Sequence, residues 1–392
     1  MRYHSVVKFR LLLAGLSLVW AISAAAQLTG EFYLEKTSFA HWEPVFLYYR
    51  ITNKGAGTVT VASTLDPGQP GCSGHSITVS SDPAPTPSCP LLGATGCNYD
   101  GPPSRPILLS PGESYTERFL LNFDHEINTP GDYWVEAKHS GLGSRTTGDA
   151  HTKVSFSVKE NTIAPSELQR WIEGLKSDDR SRRFEAARTL ASIAPPSLED
   201  MLLGFINDPE FRGYAALAFH RLNTTRSMDA MAELMQGPVT NEQIEAAHYL
   251  ATTGNQKWYP LLRDAAEKNV RISSYSAYAA ELGGEKALPM LVTLAKSPDR
   301  EFTGGNAIMA LGSTGSRDAI PVLLNYLISP DINISDRANY ALQLLTHRTA
   351  VQDQLSLNRQ NESVEWSQWW KREGATARIY KDPECGGMIP LP

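Results

Sequence analysis

Apolar and polar residues alternate along much of the N-terminal part of this chain. The alternation is clearest in three runs, whose apolar members are Val45, Leu47, Tyr49 and Ile51; Tyr133, Val135 and Ala137; and Val154, Phe156 and Val158. A period of two residues is typical of a strand with one buried face. Shorter β-rich runs lie at 58–63, 76–80 and 114–123, and glycine and proline residues separate them. Residues 27–160 therefore predict an antiparallel β-sandwich of about eight strands.

The spacing of the apolar residues changes to three and four from Pro165 onward. One column of large apolar residues recurs at intervals of 29 to 32 positions, namely Leu190, Phe219, Leu250, Leu282, Leu311 and Leu342. Four positions before each of these anchors lies a mostly small residue, in the order Ala186, Ala215, Ala246, Tyr278, Ala307 and Ala338. Each anchor follows a first amphipathic helix and a short turn. The repeat predicts about six helical pairs over residues 161–348, stacked as an α-α superhelical solenoid.

Two motifs within these parts resemble known families. Pro130-Gly131-Asp132-Tyr133 resembles the segment before a strand of immunoglobulin-like domains, in which a Tyr hydroxyl bonds back to nearby backbone. Leu311-Gly312 followed by Ala319-Ile320-Pro321 resembles the short HEAT repeats that also occur in bilin-lyase-type proteins. The resemblances imply an Ig-like sandwich followed by a HEAT-type solenoid. They say little about chemistry, because the repeat is a stacking unit rather than a site.

An irregular segment, residues 64–106, interrupts the β-rich region. It is rich in proline, glycine and serine and contains Cys72, Cys89 and Cys97. We expect a long inserted loop that is closed by a disulfide bond, and long loops on rigid scaffolds often carry binding function. With Cys385 the chain has four cysteines, and all three possible pairings remain open. A zinc site formed by the three loop cysteines and His75 is disfavoured, because the spacing matches no standard zinc ribbon.

The two ends of the chain carry signals of their own. Residues 1–26 have a basic start, an apolar stretch and a small-residue cleavage site, which predict a signal peptide and export to the periplasm or the medium. No later apolar run is long enough to enter a membrane. Near the other end, residues 349–392 contain one short amphipathic helix and a tail that is predicted to be extended. The apolar face of that helix, with Val364, Trp366, Trp369 and Trp370, is interpreted as a cap on the solenoid rather than as an aromatic binding patch.

Charge excludes some partners. Removing residues 1–26, which contain three basic residues and no acidic one, lowers the formal net charge from −6 to −9. The chain has no long basic block, so nucleic acid and anionic membranes are poor partners.

Catalytic motifs are missing from the sequence. It has no nucleophile elbow, P-loop, His-Glu-x-x-His or dinucleotide fingerprint. His220 and His248 fall on adjacent second helices and could meet there, but we interpret them as helix-face residues with local hydrogen bonds. Some acidic residues could form acid–base pairs, but we interpret them as helix caps and first-turn partners of the helix dipole: Asp178, Asp179, Asp208, Glu242 and Glu245. We therefore predict no catalytic residue, no metal, no cofactor and no enzymatic activity.

These observations favour an exported, non-catalytic scaffold that binds another protein through the solenoid or the sandwich loop. The candidate binding surface comprises residues of the second helices that face away from the alanine column: Arg183, Arg212, Gln243, Tyr275 and Arg337. Two alternatives stay open. One is a lyase or chaperone-like accessory protein, which the bilin-lyase resemblance implies, and the other is a hydrolase inhibitor that acts through residues 64–106.

Overall fold

The computed structural model describes residues 28–62, 75–81, 106–139, 150–236, 239–348, 359–381 and 389–390. The predicted signal peptide, most of the predicted loop 64–106 and all four cysteines lie outside these ranges. The chain divides into a β unit, which extends to Glu173 and includes Asp178–Ser181, and a helical unit formed by Gly174–Ser177 and Arg182–Pro392. In the described part of the chain, no helix is both long enough and apolar enough to cross a membrane.

Nine strands of the β unit lie in the described ranges. Their bounds are β1 Leu28–Leu34, β2 Ser38–His41, β3 Phe46–Asn53, β4 Val59–Ala62, β5 His75–Ser81, β6 Pro106–Leu109, β7 Ser114–Leu120, β8 Gly131–His139 and β9 Ala150–Thr162. A short helix, α1 (Leu121–Asp124), follows β7. The strands form a sheet of order β1-β3-β7, a sheet of order β2-β9-β8-β5 and a β4-β6 ribbon. The predicted arrangement of antiparallel sheets is confirmed for every pair of these strands except β2 and β9.

Strands β2 and β9 pair in parallel, with Ser38 opposite Ser157. The prediction of a purely antiparallel sandwich is wrong for this pair. A tight hairpin forces antiparallel pairing only between strands that are close in sequence. More than 100 residues separate Ser38 from Ser157, so the connection does not set the direction of the two strands.

The inward residues of the two larger sheets share one core, as the alternation predicts. Leu47, Tyr49 and Ile51 of β3 are at most 4% exposed, and the inward residues of β8 are equally buried. The rings of Tyr49 and His139 lie 5.0 Å apart across the interface between the sheets. The Tyr133 hydroxyl donates a hydrogen bond to the Thr129 carbonyl at 2.7 Å, which is the backbone contact that the resemblance to immunoglobulin-like domains implies.

Part of the predicted loop is a strand. Residues 75–81 form β5, which pairs with β8 so that Val79 lies opposite Val135. The β-rich run at 76–80 is thus confirmed, and the prediction of irregular structure is wrong for this stretch. Pairing with a neighbouring strand satisfies the backbone groups of a segment whose own sequence specifies a strand only weakly.

The helices follow in pairs. Their bounds are α2 Pro165–Gly174, α3 Arg180–Ile193, α4 Glu199–Leu203, α5 Ala215–Leu222, α6 Thr225–Leu234, α7 Asn241–Thr252, α8 Tyr259–Lys268, α9 Ser273–Gly283, α10 Leu288–Ala295, α11 Gly305–Leu311, α12 Ala319–Leu327, α13 Ile332–Thr346 and α14 Arg359–Glu373. The pairs α2/α3 to α12/α13 are the six predicted repeats. The first of these helices, α2, belongs largely to the β unit, where the Trp171 ring lies 6.0 Å from that of Phe46.

The repeat alignment is confirmed by burial. Five of the six anchors are completely buried, and the sixth, Leu282, is 2% exposed. The residues four positions earlier are at most 1% exposed. Gly312, directly after an anchor, shows how closely the repeats approach. A Cβ atom at this position would lie 2.8 Å from Cα of Ala341, which belongs to the next second helix. Only glycine fits there without a backbone shift.

We expect Ala307→Leu to destabilise the helical unit by about 1–3 kcal/mol, because three added carbon atoms have no space beside a fully buried helix. Thermal unfolding followed by circular dichroism measures the effect. Ala232→Leu, at a half-buried position of α6, is the matched control and should have a smaller effect. Equal melting temperatures for the wild type and Ala307→Leu would contradict the alignment of the repeats.

The predicted short helix near the C-terminal end is present as α14. Trp366 and Trp369 of α14 are 1% and 5% exposed, and the Trp366 indole nitrogen donates a hydrogen bond to Oδ1 of Asn339 in α13 at 2.8 Å. Val364 of the same helix is 53% exposed, so the predicted apolar face is wrong for this residue. The tail continues as a short extended ribbon, in which β10 (Tyr380–Lys381) pairs with β11 (Ile389–Pro390).

Candidate partner-binding surface

One face of the second helices decides what the repeats can present to a partner. Residues two, five and nine positions before an anchor share a helix face, because 3.6 residues make one turn. We call this set the second-helix face. Its position two before the anchor is occupied, from repeat 1 to repeat 6, by Arg188, Leu217, His248, Ala280, Met309 and Tyr340. Leu217, His248 and Ala280 are buried, whereas Met309 and Tyr340 are 37% and 50% exposed. The face is therefore most open at repeats 5 and 6.

The five predicted binding residues do not form one surface. Arg212 is exposed. Arg183 makes a bidentate pair with Glu210 at 2.8 and 3.0 Å, and Arg337 donates a hydrogen bond to Oδ1 of Asn306 at 3.2 Å.

Gln243 and Tyr275 are each 2% exposed and offer no surface, so the prediction is wrong for these two residues. The Gln243 side chain turns back to accept a hydrogen bond from the Thr240 backbone at the start of α7. A capping box of this kind satisfies backbone groups of the first turn, and it needs the amide next to the helix rather than in solvent.

His220 and His248 both contact tyrosine rings of the second helices. The rings of His220 and Tyr249 lie 4.3 Å apart and almost parallel, and the ring of His248 lies 5.3 Å from that of Tyr278. Burial lowers the pKa of His248 to about 4, and His220 contributes in the same direction. The Nδ1 atom of His248 has no hydrogen-bond partner among the described residues, so local hydrogen bonding does not explain this atom. The stack links repeats 2, 3 and 4 through ring contacts.

No group of three possible metal ligands occurs in the ranges that the structure describes. The acidic residues at the turns act as caps, as predicted. Asp179 accepts a hydrogen bond from the Ser181 backbone at 2.9 Å, and Asp208 accepts one from the Glu210 backbone at 2.8 Å.

Glu245 differs from these capping residues. Burial raises the pKa of its carboxyl to about 7, and the Glu242 carboxylate contributes in the same direction. A raised pKa means that the folded protein holds the proton more tightly than the unfolded chain does. The stabilisation that the protonated Glu245 carboxyl provides is therefore fully present below about pH 4.5 and is lost as the pH rises through about 7.

We expect Glu245→Gln to be more stable than the wild type by about 2 kcal/mol near pH 8, and the difference to disappear near pH 4. Urea unfolding at the two pH values measures this difference. The control is Glu233→Gln, at an exposed position of α6, which should change the free energy of unfolding by the same amount at both pH values. A difference between wild type and Glu245→Gln that does not depend on pH would show that the carboxyl is solvated.

Exposed apolar side chains are the feature that sequence reasoning missed. Among the described residues, eight large apolar side chains are exposed, and five of them belong to repeats 5 and 6: Phe302, Met309, Ile328, Ile332 and Tyr340. A signal was present in the sequence, since Met309 and Tyr340 fall at a column position that is charged in repeat 1. Monomeric proteins rarely expose contiguous apolar patches without a binding role.

Residues 255–343, which span repeats 4 to 6, match the family model of HEAT repeats. Repeats 4 to 6 are thus HEAT repeats. A search of curated proteins found no match.

Solved structures similar to parts of the chain include an engineered protein, with 22% identity and a TM-score of 0.29, covering 45% of this chain and 96% of that one. Human deoxyhypusine hydroxylase has 14% identity and a TM-score of 0.27, covering 47% of this chain and 75% of the hydroxylase. A CARDB domain from Pyrococcus furiosus has 12% identity and a TM-score of 0.17, covering 34% of this chain and 96% of that domain. At such scores none of these likenesses bears on function.

Proposed function

We propose that this protein is an exported, non-catalytic scaffold that binds another protein through its HEAT repeats. HEAT repeats are interaction modules, since a stack of helical pairs presents an extended surface without needing a catalytic centre. The observation that supports the proposal best is the concentration of exposed apolar side chains on repeats 5 and 6.

Export rests on the sequence of residues 1–26, with a basic start, an apolar stretch and a small-residue cleavage site. N-terminal sequencing of the protein from the periplasm or the medium tests it, and we expect a mature start at Gln27. A cytoplasmic chain that begins at Met1 would contradict export.

The binding function is tested with the tagged full-length chain, purified from its own host after mild cross-linking. We expect at least one exported protein to be enriched, and its purified form to bind the purified chain at micromolar or lower Kd. Unrelated exported proteins that carry the same tag are purified in the same way, as controls for nonspecific capture. If no binary complex can be reconstituted, the scaffold proposal fails.

A further inference from the structure

The exposed apolar side chains of repeats 5 and 6 occupy corresponding places on neighbouring second helices. Met309 and Tyr340 both lie two positions before their anchors, in α11 and α13. Phe302 lies nine positions before its anchor, and Ile332 lies one position earlier than that in the next repeat. Consecutive second helices pack side by side in the stack, as the approach of Gly312 to Ala341 shows. Phe302, Met309, Ile332 and Tyr340 therefore border one area, which we call the repeat 5–6 patch.

The polar side chains between these four residues are already bonded within the chain. Asn306 accepts a hydrogen bond from Nη1 of Arg337 at 3.2 Å and donates one to the Arg271 carbonyl at 3.4 Å. The Arg271 guanidinium is 3.7 Å from the Asp299 carboxylate and lies over the Phe302 ring at 5.7 Å. A ligand is thus offered apolar side chains next to Arg271 and Arg337, whose guanidinium groups contact Asp299 and Asn306. This arrangement favours a ligand segment without charges, because a buried charge would need a partner of its own.

The size of the patch decides between two kinds of occupant. The four side chains are 37% to 53% exposed, which corresponds to roughly 350 Å² of accessible area. A stable interface between two folded proteins buries about 800 Å² on each partner. The patch is less than half of that. In addition, a second copy carries the same negative net charge, formally −6 for the full chain. Both facts favour a short segment of another protein over a second copy of this chain.

We propose that the repeat 5–6 patch is a docking site for a short, uncharged apolar segment of a partner protein. The proposal rests on the scaffold function above and adds to it the location of the site and the chemistry of the ligand. Large exposed side chains such as Phe302 and Tyr340 act as anchors in such a site, because they bury much apolar area at a low cost in conformational entropy.

The test uses the full mature chain and a short fluorescein-labelled peptide in which Leu, Phe and Val alternate with Ser and Gly. We expect the peptide to bind, with fluorescence anisotropy giving Kd. A peptide of the same length with Lys and Asp at half of the apolar positions should bind at least tenfold more weakly. Equal affinity for the two peptides would overturn the proposed ligand chemistry.

The site is tested with the double variant Met309→Lys, Tyr340→Lys. Both side chains are exposed, so the fold should be kept, and circular dichroism checks this. We expect Kd for the apolar peptide to rise at least tenfold, about 1.4 kcal/mol. Matched controls are Leu108→Lys and Val364→Lys, which introduce the same charge at the exposed apolar residues of β6 and α14 and should leave Kd unchanged. Unchanged affinity in the double variant, or equal losses in the controls, would overturn the location.

Sedimentation velocity over a range of concentrations tests the second copy as the occupant. A dimer that the double variant abolishes would overturn the proposal in favour of self-association. The scaffold function and the repeat 5–6 patch can be refuted separately. A reconstituted partner that still binds the double variant refutes the patch alone, whereas binding of the peptide without any exported partner refutes the scaffold alone.

Discussion

Replacing Trp366 with Ala should destabilise the helical unit by about 3–5 kcal/mol, one of the two largest effects we expect in this protein. The Trp366 side chain is 1% exposed, its ring lies 5.5 Å from that of Trp369, and its indole nitrogen bonds to Asn339. The change leaves a cavity and deprives Oδ1 of Asn339 of its donor, and both consequences cost free energy. Urea unfolding followed by tryptophan fluorescence and circular dichroism measures the loss.

Val364→Ala is the control for this experiment, because Val364 lies on the same helix and is 53% exposed. Its effect should stay within about 0.5 kcal/mol. Since each repeat of a solenoid contacts only its neighbours, loss of the cap should first expose the amides of α13. Hydrogen exchange should therefore rise in α13 well before it rises in α7. A uniform rise over all helices would contradict the role of α14 as a terminal cap.

Phe219→Ala should cost a similar amount, about 3–5 kcal/mol. Phe219 is the anchor of repeat 2 and is completely buried, and the neighbouring Ala215 and Ala216 leave little freedom for the site to collapse. The same substitution at Phe302, which is 44% exposed, is the matched control. It should change stability by less than about 1 kcal/mol. Comparable losses for the two variants would mean that the column of anchors does not define the core.

The two variants also separate stability from binding. Phe302→Ala should weaken binding of the apolar peptide. It should leave the melting temperature nearly unchanged, because the Phe302 side chain is exposed to solvent. Phe219→Ala should lower the melting temperature and, in the folded fraction, leave Kd unchanged. Phe219 in repeat 2 and Phe302 in repeat 5 contribute to different surfaces, since contacts in a solenoid are local.

The sequence by itself determined the architecture of this protein. The anchors from Leu190 to Leu342 and the small residues before them recur with helical spacing, and all of them are buried. The alternation at 45–51 likewise predicted the inward residues of β3. Such periods can be recognised without coordinates, because burial along a regular helix or strand repeats with the geometry of that element alone.

Only the tertiary structure decided which positions of the second helices are accessible. At the position two before the anchor, Leu217 and His248 are buried, whereas Met309 and Tyr340 are open. The parallel pairing of β2 with β9 was equally hidden, because more than 100 residues join them. Exposure and long-range pairing depend on what the neighbouring repeat or strand places against a residue. That neighbour comes from distant sequence, so no local period contains the information.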